Sequence, residues 1–335
     1  MTKQYHVVAM GAALVDTEIE VSDEDLKALG VEKGLMTLVD EARQATLVDY
    51  LKDHLTASRR ASGGSAANSI IAVSALGGDG FFCGRVADDD NGHFYLSDMA
   101  AAGVAHPKWD NLPQGTTGKC LVLITPDAER SMNTFLGISE ELSDADLSMD
   151  AITNAQYLYI EGYLATSESG CAAAVSARKH ARKSGTRVAV SLSDPGIVAH
   201  FRDQLNDITG PKVDLLFCNR DEALAWTGTD DIRDACELLA DSADRYAVTL
   251  GKEGAVVFDG DELHAIAGRP ITAVDTNGAG DMFAGAFLYG ITAGMSHRDA
   301  GELACLAAAA VVGQFGPRLP LRQYRGVLDS FLNRG

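Results

Sequence analysis

Short apolar runs alternate with longer amphipathic stretches along most of this chain. The runs predict strands over 5–10, 81–84, 157–160, 187–192, 215–218, 245–250, 255–258 and 271–274. The stretches between them carry apolar positions at helical spacing and predict helices over 66–76, 91–102, 169–183, 230–241, 281–292 and 298–312. Strands separated by helices imply βαβ units around a mostly parallel sheet. Runs such as 246–250 are apolar throughout, as expected where helices cover both faces of a sheet.

Two segments break this pattern. Residues 17–21 and 119–125 alternate polar and apolar side chains, and 36–39 and 131–135 do so more weakly. Such alternation predicts half-buried strands. They would form a small second sheet, a lid over one edge of the main domain, built from about 16–39 and 117–137. The whole chain, 1–335, is then a single α/β domain of three layers with a discontinuous lid.

Composition narrows the function. Lys and Arg number 28 against 47 Asp and Glu, a net charge of −19. So acidic a surface repels nucleic-acid phosphates and anionic lipid. A small anion remains admissible if backbone amides, a cation or an Arg supply local positive potential. No run approaches the roughly 18 apolar residues of a membrane-spanning helix, and the first residues lead into a strand with no secretory signal. The six cysteines form no CxxC pair and lie mostly in apolar runs, which suits buried thiols in a reducing cytoplasm. The eight histidines lack zinc-ligand spacing.

The segment richest in chemistry is Asp275-Thr-Asn-Gly-Ala-Gly-Asp281, where the strand expected at 271–274 turns into a helix. The first N–H groups of a helix have no partner within it and, with the helix dipole, attract an anion. A carboxylate beside that anion, Asp281, can take the proton of a hydroxyl that attacks a phosphoryl group. Two other phosphate motifs are excluded. Gly115-Thr-Thr-Gly118-Lys119-Cys120 lacks the first Gly and the final hydroxyl of GxxxxGK(S/T), and Phe283 stands where GxGxxG needs its third glycine.

DTNGAGDMFAGAF resembles the C-terminal signature of the ribokinase and phosphofructokinase-B superfamily of sugar and nucleoside kinases. Ser62-Gly-Gly-Ser-Ala-Ala-Asn68, with the GGDGFFCGRVADDDNGHF that follows, resembles its N-terminal signature. Asn219-Arg-Asp-Glu222 matches its NxxE motif and Val248-Thr-Leu-Gly-Lys-Glu-Gly254 its VTxGxxG nucleotide segment. The motifs stand in the family's order and span nearly the whole chain. The resemblance implies a ribokinase-like fold, with Asp281 as general base and the amides of Gly278, Ala279, Gly280 and Asp281 as anion hole. It implies that Asn219 and Glu222 act on Mg²⁺ through water, and that Asn219, Thr249, Gly251, Gly254, Thr276 and Asn277 bind ATP. It further implies a monovalent cation, potassium being the candidate, at Asp275 and the loop 312–316. On the acceptor side it implies Asp16 gripping a diol, with Gly63, Gly64, Ser65 and Asn68 around the sugar, and Arg130 in the lid meeting the transferred phosphoryl.

The acceptor is narrowed by finer resemblance. DTNGAGD and GGSAANS are closer to adenosine kinases than to ribokinases, and residues 31–41 and 125–139 resemble bacterial chains of the adenosine kinase kind. Phe135 is a candidate aromatic face for a purine or, at strand spacing, equally a candidate for the core of the lid. Adenosine, phosphorylated at O5′ by ATP with Mg²⁺, is the leading acceptor. Ribose, fructose or a keto-sugar acid is the alternative, and a catalytically silent nucleoside-binding regulator lies outside the class. No nucleic acid or membrane partner is expected, and a homodimer stays open.

Overall fold

The computed structural model describes residues 3–52, 59–127 and 129–334. Ala128, within the expected lid stretch 117–137, lies outside them. The strands in chain order are β1 (Tyr5–Met10), β2 (Leu14–Glu20), β3 (Met36–Leu38), β4 (Arg59–Gly63), β5 (Gly80–Cys83), β6 (Val104–Ala105), β7 (Gly118–Ile124) and β8 (Arg130–Phe135). There follow β9 (Ala155–Glu161), β10 (Arg187–Ser191), β11 (Leu215–Asn219), β12 (Tyr246–Thr249), β13 (Gly254–Phe258) and β14 (Leu263–Ala267).

One sheet has the order β14-β13-β12-β11-β10-β9-β1-β5-β6. It is parallel from β12 to β6, and β13 and β14 close it as an antiparallel edge. Because strand side chains alternate faces, β1 sends Val7 and Ala9 into one core and Val8 and Met10 into the other. Helices Ser65–Ala75, Ala279–Thr292 and His297–Val312 pack the first face, and Glu168–Ser184 and Arg220–Thr227 pack the second. This is the three-layer α/β fold that the periodicity implies.

The small sheet has the order β3-β8-β7-β2-β4. It includes β4, outside the stretches expected for a lid. The half-buried reading of 119–125 is corrected: β7 is buried on both faces. Leu121 and Leu123 pack with Leu26 and Leu29 of helix Asp23–Leu29, Leu47 of helix Glu41–Tyr50 and its capping Leu51, two helices the pattern did not predict. Cys120 and Val122 face a cavity between the two sheets.

The strand expected at 271–274 is absent. The amides of Val274 and Asp275 donate to the carbonyl of Val312 at 2.8 and 3.1 Å, so this segment is satisfied by a helix end. Its register on the sheet edge is not taken up, and Ile271 stays half exposed.

Candidate active site

The cavity holds about 640 Å³. Its floor is the carboxyl end of the parallel sheet, where Ala12, Glu161, Ser191, Asn219 and Thr249 follow or end their strands. Ligands bind at that end in open α/β sheets, because the strands stop there and loops and helix N-termini converge. The small sheet forms the roof.

Asp281 sits in the first turn of helix Ala279–Thr292, which Gly278 caps at φ 73°. Among the described residues the N–H groups of Gly278, Gly280 and Asp281 find no acceptor, while that of Ala279 leans on the Thr276 carbonyl at 3.3 Å. The expected four-amide cradle therefore opens on three amides in this state. A Cβ on Gly278 would stand 2.2 Å from the Pro317 carbonyl oxygen, whereas one on Gly280 would meet nothing within 4 Å and would enter the cavity.

The N-terminus of helix Ser65–Ala75 meets this turn. Ser65 Oγ donates to Asp281 Oδ1 at 2.6 Å and Asn68 Nδ2 to Oδ2 at 3.0 Å. Asn68 Oδ1 is buried with no protein partner among the described residues. Burial raises the proton affinity of Asp281, and the two side-chain bonds oppose that rise. Ser65 and Asn68, expected at the acceptor, thus hold the Asp281 carboxylate.

Asp16 lies in the cavity roof on β2, and burial pushes its carboxyl up to about 7. Arg318 is the strongest opposing influence, followed, against it, by Glu18 and Asp281. Gly63 pairs with Leu14 on the neighbouring strand, and any Cβ there would be 2.2 Å from the Asp16 carboxylate. Gly63 thus makes room for Asp16, while Gly64, Ser65 and Asn68 line the cavity itself.

On the nucleotide side, Asn219 and Glu222 form a reciprocal cap. The Glu222 amide donates to Asn219 Oδ1 at 2.8 Å, and Asn219 donates its Nδ2 to Oε1 at 2.6 Å and its amide to Oε2 at 3.0 Å. Burial holds the Glu222 carboxyl up near 7. Both residues line the cavity, as do Thr249, Thr276 and Asn277. Gly251 and Gly254 do not; they shape the turn after β12, at φ 59° and 104°. Each Glu222 oxygen keeps a lone pair, and no group of three or more metal-binding side chains occurs among the described residues. That donor set suits Mg²⁺ held by water and phosphate oxygens, which need few protein ligands.

Arg130 and Asp275 are brought together directly. Arg130 Nη2 donates to Asp275 Oδ2, Nε lies against Oδ1, and Nη1 is 3.4 Å from Glu18 Oε1. The Gly316 amide also donates to Oδ2, at 2.6 Å, and the Asn277 amide to Oδ1, at 2.9 Å. Asp275 is 2% exposed and ringed by donors, so as arranged its carboxylate does not fit a potassium ion. In this state Arg130 is committed to Asp275 and Glu18, away from any phosphoryl.

Among the cavity residues that escaped sequence reasoning, three have distinctive settings. Glu161 ends β9 and accepts the amides of Ala12 at 2.6 Å and Ala66 at 2.7 Å, with burial pushing its carboxyl up to about 7. Tyr163 adds an aromatic ring to the lining, beside Phe217 and Phe283. Ser193 is the one non-glycine at positive φ among the described residues, and its Oγ accepts the Gly162 amide at 2.8 Å. An acid closing an apolar strand was the available signal for Glu161; Tyr163 and Ser193 gave none. Of the two readings of Phe135, the purine face is set aside: Met132, Thr134 and Leu136 face the cavity, and the odd register of β8 turns Phe135 away.

A buried carboxylate beside three unpartnered helix-start amides at the carboxyl end of a parallel sheet, roofed by a second sheet, is the arrangement found here, and the comparisons with known proteins make this chain a kinase that phosphorylates a hydroxyl group. Residues 36–323 match the pfkB family carbohydrate kinase pattern, and the chain belongs to that family. Among solved structures it is similar to an adenosine kinase from Sinorhizobium meliloti, 36% identical with a TM-score of 0.89 over 98% of this chain and 99% of the other. It is likewise similar to a probable sugar kinase from Rhizobium etli, 35% identical, TM-score 0.90, with the same coverage. An adenosine kinase of Schizophyllum commune is 28% identical over 94% of this chain and 96% of its own. No helix among the described residues is long and apolar enough to cross a membrane.

Proposed function

We propose that this kinase transfers the γ-phosphoryl of ATP to O5′ of adenosine. The observation that carries the reading is the cavity roof: Leu14, Met36, Leu38, Cys120, Val122, Met132 and Leu136 present apolar side chains opposite Tyr163. A flat purine fills such a slot, whereas a free sugar needs polar partners there. Asp16, in its ionised form, accepts the ribose diol, since a carboxylate without its proton only accepts hydrogen bonds. That leaves O5′ beside Asp281, which removes its proton as the oxygen attacks the γ-phosphorus; ADP departs and the proton stays on the carboxyl. The amides of Gly278, Gly280 and Asp281 bind the charge on the transferring group. When bound near Glu222 and Asn219, Mg²⁺ neutralises charge on the phosphate oxygens. Closure of the small sheet over the acceptor excludes water and limits ATP hydrolysis. Six buried free thiols suit a reducing cytoplasm.

A sugar acceptor is the second reading, favoured by the likeness to the Rhizobium etli protein. Initial rates with adenosine, 2′-deoxyadenosine, ribose and fructose decide between them. Adenosine is expected to exceed ribose in kcat/KM by roughly tenfold or more, about 1.4 kcal/mol. The deoxynucleoside loses further, because Asp16 forfeits a partner. Turnover of ribose or fructose with none of adenosine overturns the nucleoside reading.

A further inference from the structure

We propose that Arg130 is the built-in cation of the Asp275 pocket. It stands where the family resemblance implies a monovalent ion, and it ties the small sheet to the 275–281 turn. A buried carboxylate needs a counter-charge and filled lone pairs. Asp275 has the counter-charge and most of the donors: one guanidinium N–H and two backbone amides fill three of the roughly four acceptor positions a carboxylate offers, and Arg130 Nε, in ion-pair contact with Oδ1, makes no hydrogen bond among the described residues. An added ion must first expel the guanidinium.

The guanidinium is held from its own side as well. Arg130 is the first residue of β8, paired in register with Ile124, and is 8% exposed. Glu18, on β2 of the same sheet, flanks it at 3.4 Å. A Cβ on Gly316, at φ 97°, would stand 3.6 Å from Glu18 Oε1, so the loop carrying the Gly316 amide closes the pocket from outside. The cation thus belongs to the small sheet and the carboxylate to the turn that builds the anion pocket. Seating the sheet delivers the charge. Arg130 acts here as a positioning residue: it fixes Asp275, whose Oδ1 in turn accepts the Asn277 amide just before Gly278.

The inference rests on reading 275–281 as the phosphoryl site, but its first test needs no acceptor. Thermal melting of the ligand-free protein is compared in potassium and tetramethylammonium chloride at equal ionic strength. Wild type is expected to melt at the same temperature in both. Arg130→Ala strips the charge from Asp275, so potassium is expected to raise its melting temperature by roughly 2 °C or more over tetramethylammonium. Adding Asp275→Asn to that variant is expected to abolish the gain. Arg130→Lys keeps a cation and is expected to show no potassium effect. In the phosphoryl-transfer assay, potassium is expected to raise the rate of Arg130→Ala and leave that of wild type unchanged. A potassium-specific gain in wild type, or none in a folded Arg130→Ala, overturns the proposal. Should Arg130→Ala not fold, the wild-type and Arg130→Lys comparisons still decide it. Failure of the adenosine reading leaves the melting result untouched.

Discussion

The hydroxyl of Ser65 donates to Oδ1 of Asp281 at 2.6 Å, joining the N-termini of two helices that lie 216 residues apart in sequence. Together with Asn68, it favours the ionised carboxylate, while burial favours the protonated one. Burial is the larger influence, so the carboxyl takes up a proton more readily than an ordinary aspartic acid. A general base must have lost that proton before it can act.

The first prediction follows from this balance. Removing a donor with Ser65→Ala lets burial act with less opposition. The acidic limb of kcat/KM against pH is expected to move up by about one unit, the scale of one hydrogen bond to a charged group. Asp281→Asn is expected to lower kcat by about 10²–10⁴-fold. ATP binding, followed by titration calorimetry, is expected to persist. Near wild-type turnover in a folded Asp281→Asn protein would remove Asp281 from the base role.

The two glycines of the anion turn make opposite predictions. Gly278→Ala places a Cβ 2.2 Å from the Pro317 carbonyl oxygen at a φ of 73°, and a loss of more than about 1 kcal/mol of stability is expected. Gly280→Ala meets no protein atom within 4 Å, so melting is expected to stay within a degree or two while kcat falls by roughly 10²-fold. Equal damage to stability at both positions would show that Gly280 serves packing alone.

Glu222 is bound into a helix cap, and the proposed mechanism also gives it the metal. Glu222→Gln removes the charge, and the Mg²⁺ concentration for half-maximal rate is expected to rise several-fold while acceptor KM holds. An unchanged Mg²⁺ titration would leave Glu222 a capping residue only. Asn219→Ala removes the side-chain cap and is expected to cost about 1 kcal/mol of stability.

Stability against pH probes the buried acids. Glu161 has its carboxyl raised to about 7 from 4.5, so between those values the folded chain holds a proton that the unfolded chain has released. Stability from this group is complete below about 4.5 and lost as pH rises through about 7. Asp16 and Glu222, also near 7, act in the same direction and window. The melting temperature of ligand-free protein is therefore expected to fall from pH 5 to pH 8, and to fall less steeply in Glu161→Gln. An unaltered slope in that variant would mean that Glu161 is ionised throughout.

Local patterns made much of this protein legible. Runs such as 215–218 are continuously apolar because helices cover both faces, and that needs no knowledge of partners. The turn at 275–281 is readable because glycines between two acids mark a helix start, and helix Ala279–Thr292 begins there. Asn219 and Glu222 cap their own helix across three residues, so their pairing too was within reach.

What tertiary structure alone decided are the contacts between distant segments. No local pattern pairs Arg130 with Asp275, 145 residues on, or gives Glu161 the amides of Ala12 and Ala66. The 271–274 segment is apolar enough for a strand, yet a helix end offered its amides an acceptor first. Phe135 turned from the cavity because the register of β8, set by pairing with β7, assigns alternate residues to opposite faces. Periodicity along the chain reports which residues share a face. Which face meets the ligand, and which charge meets which, is decided only when the two sheets come together, because burial and long-range pairing set those energies.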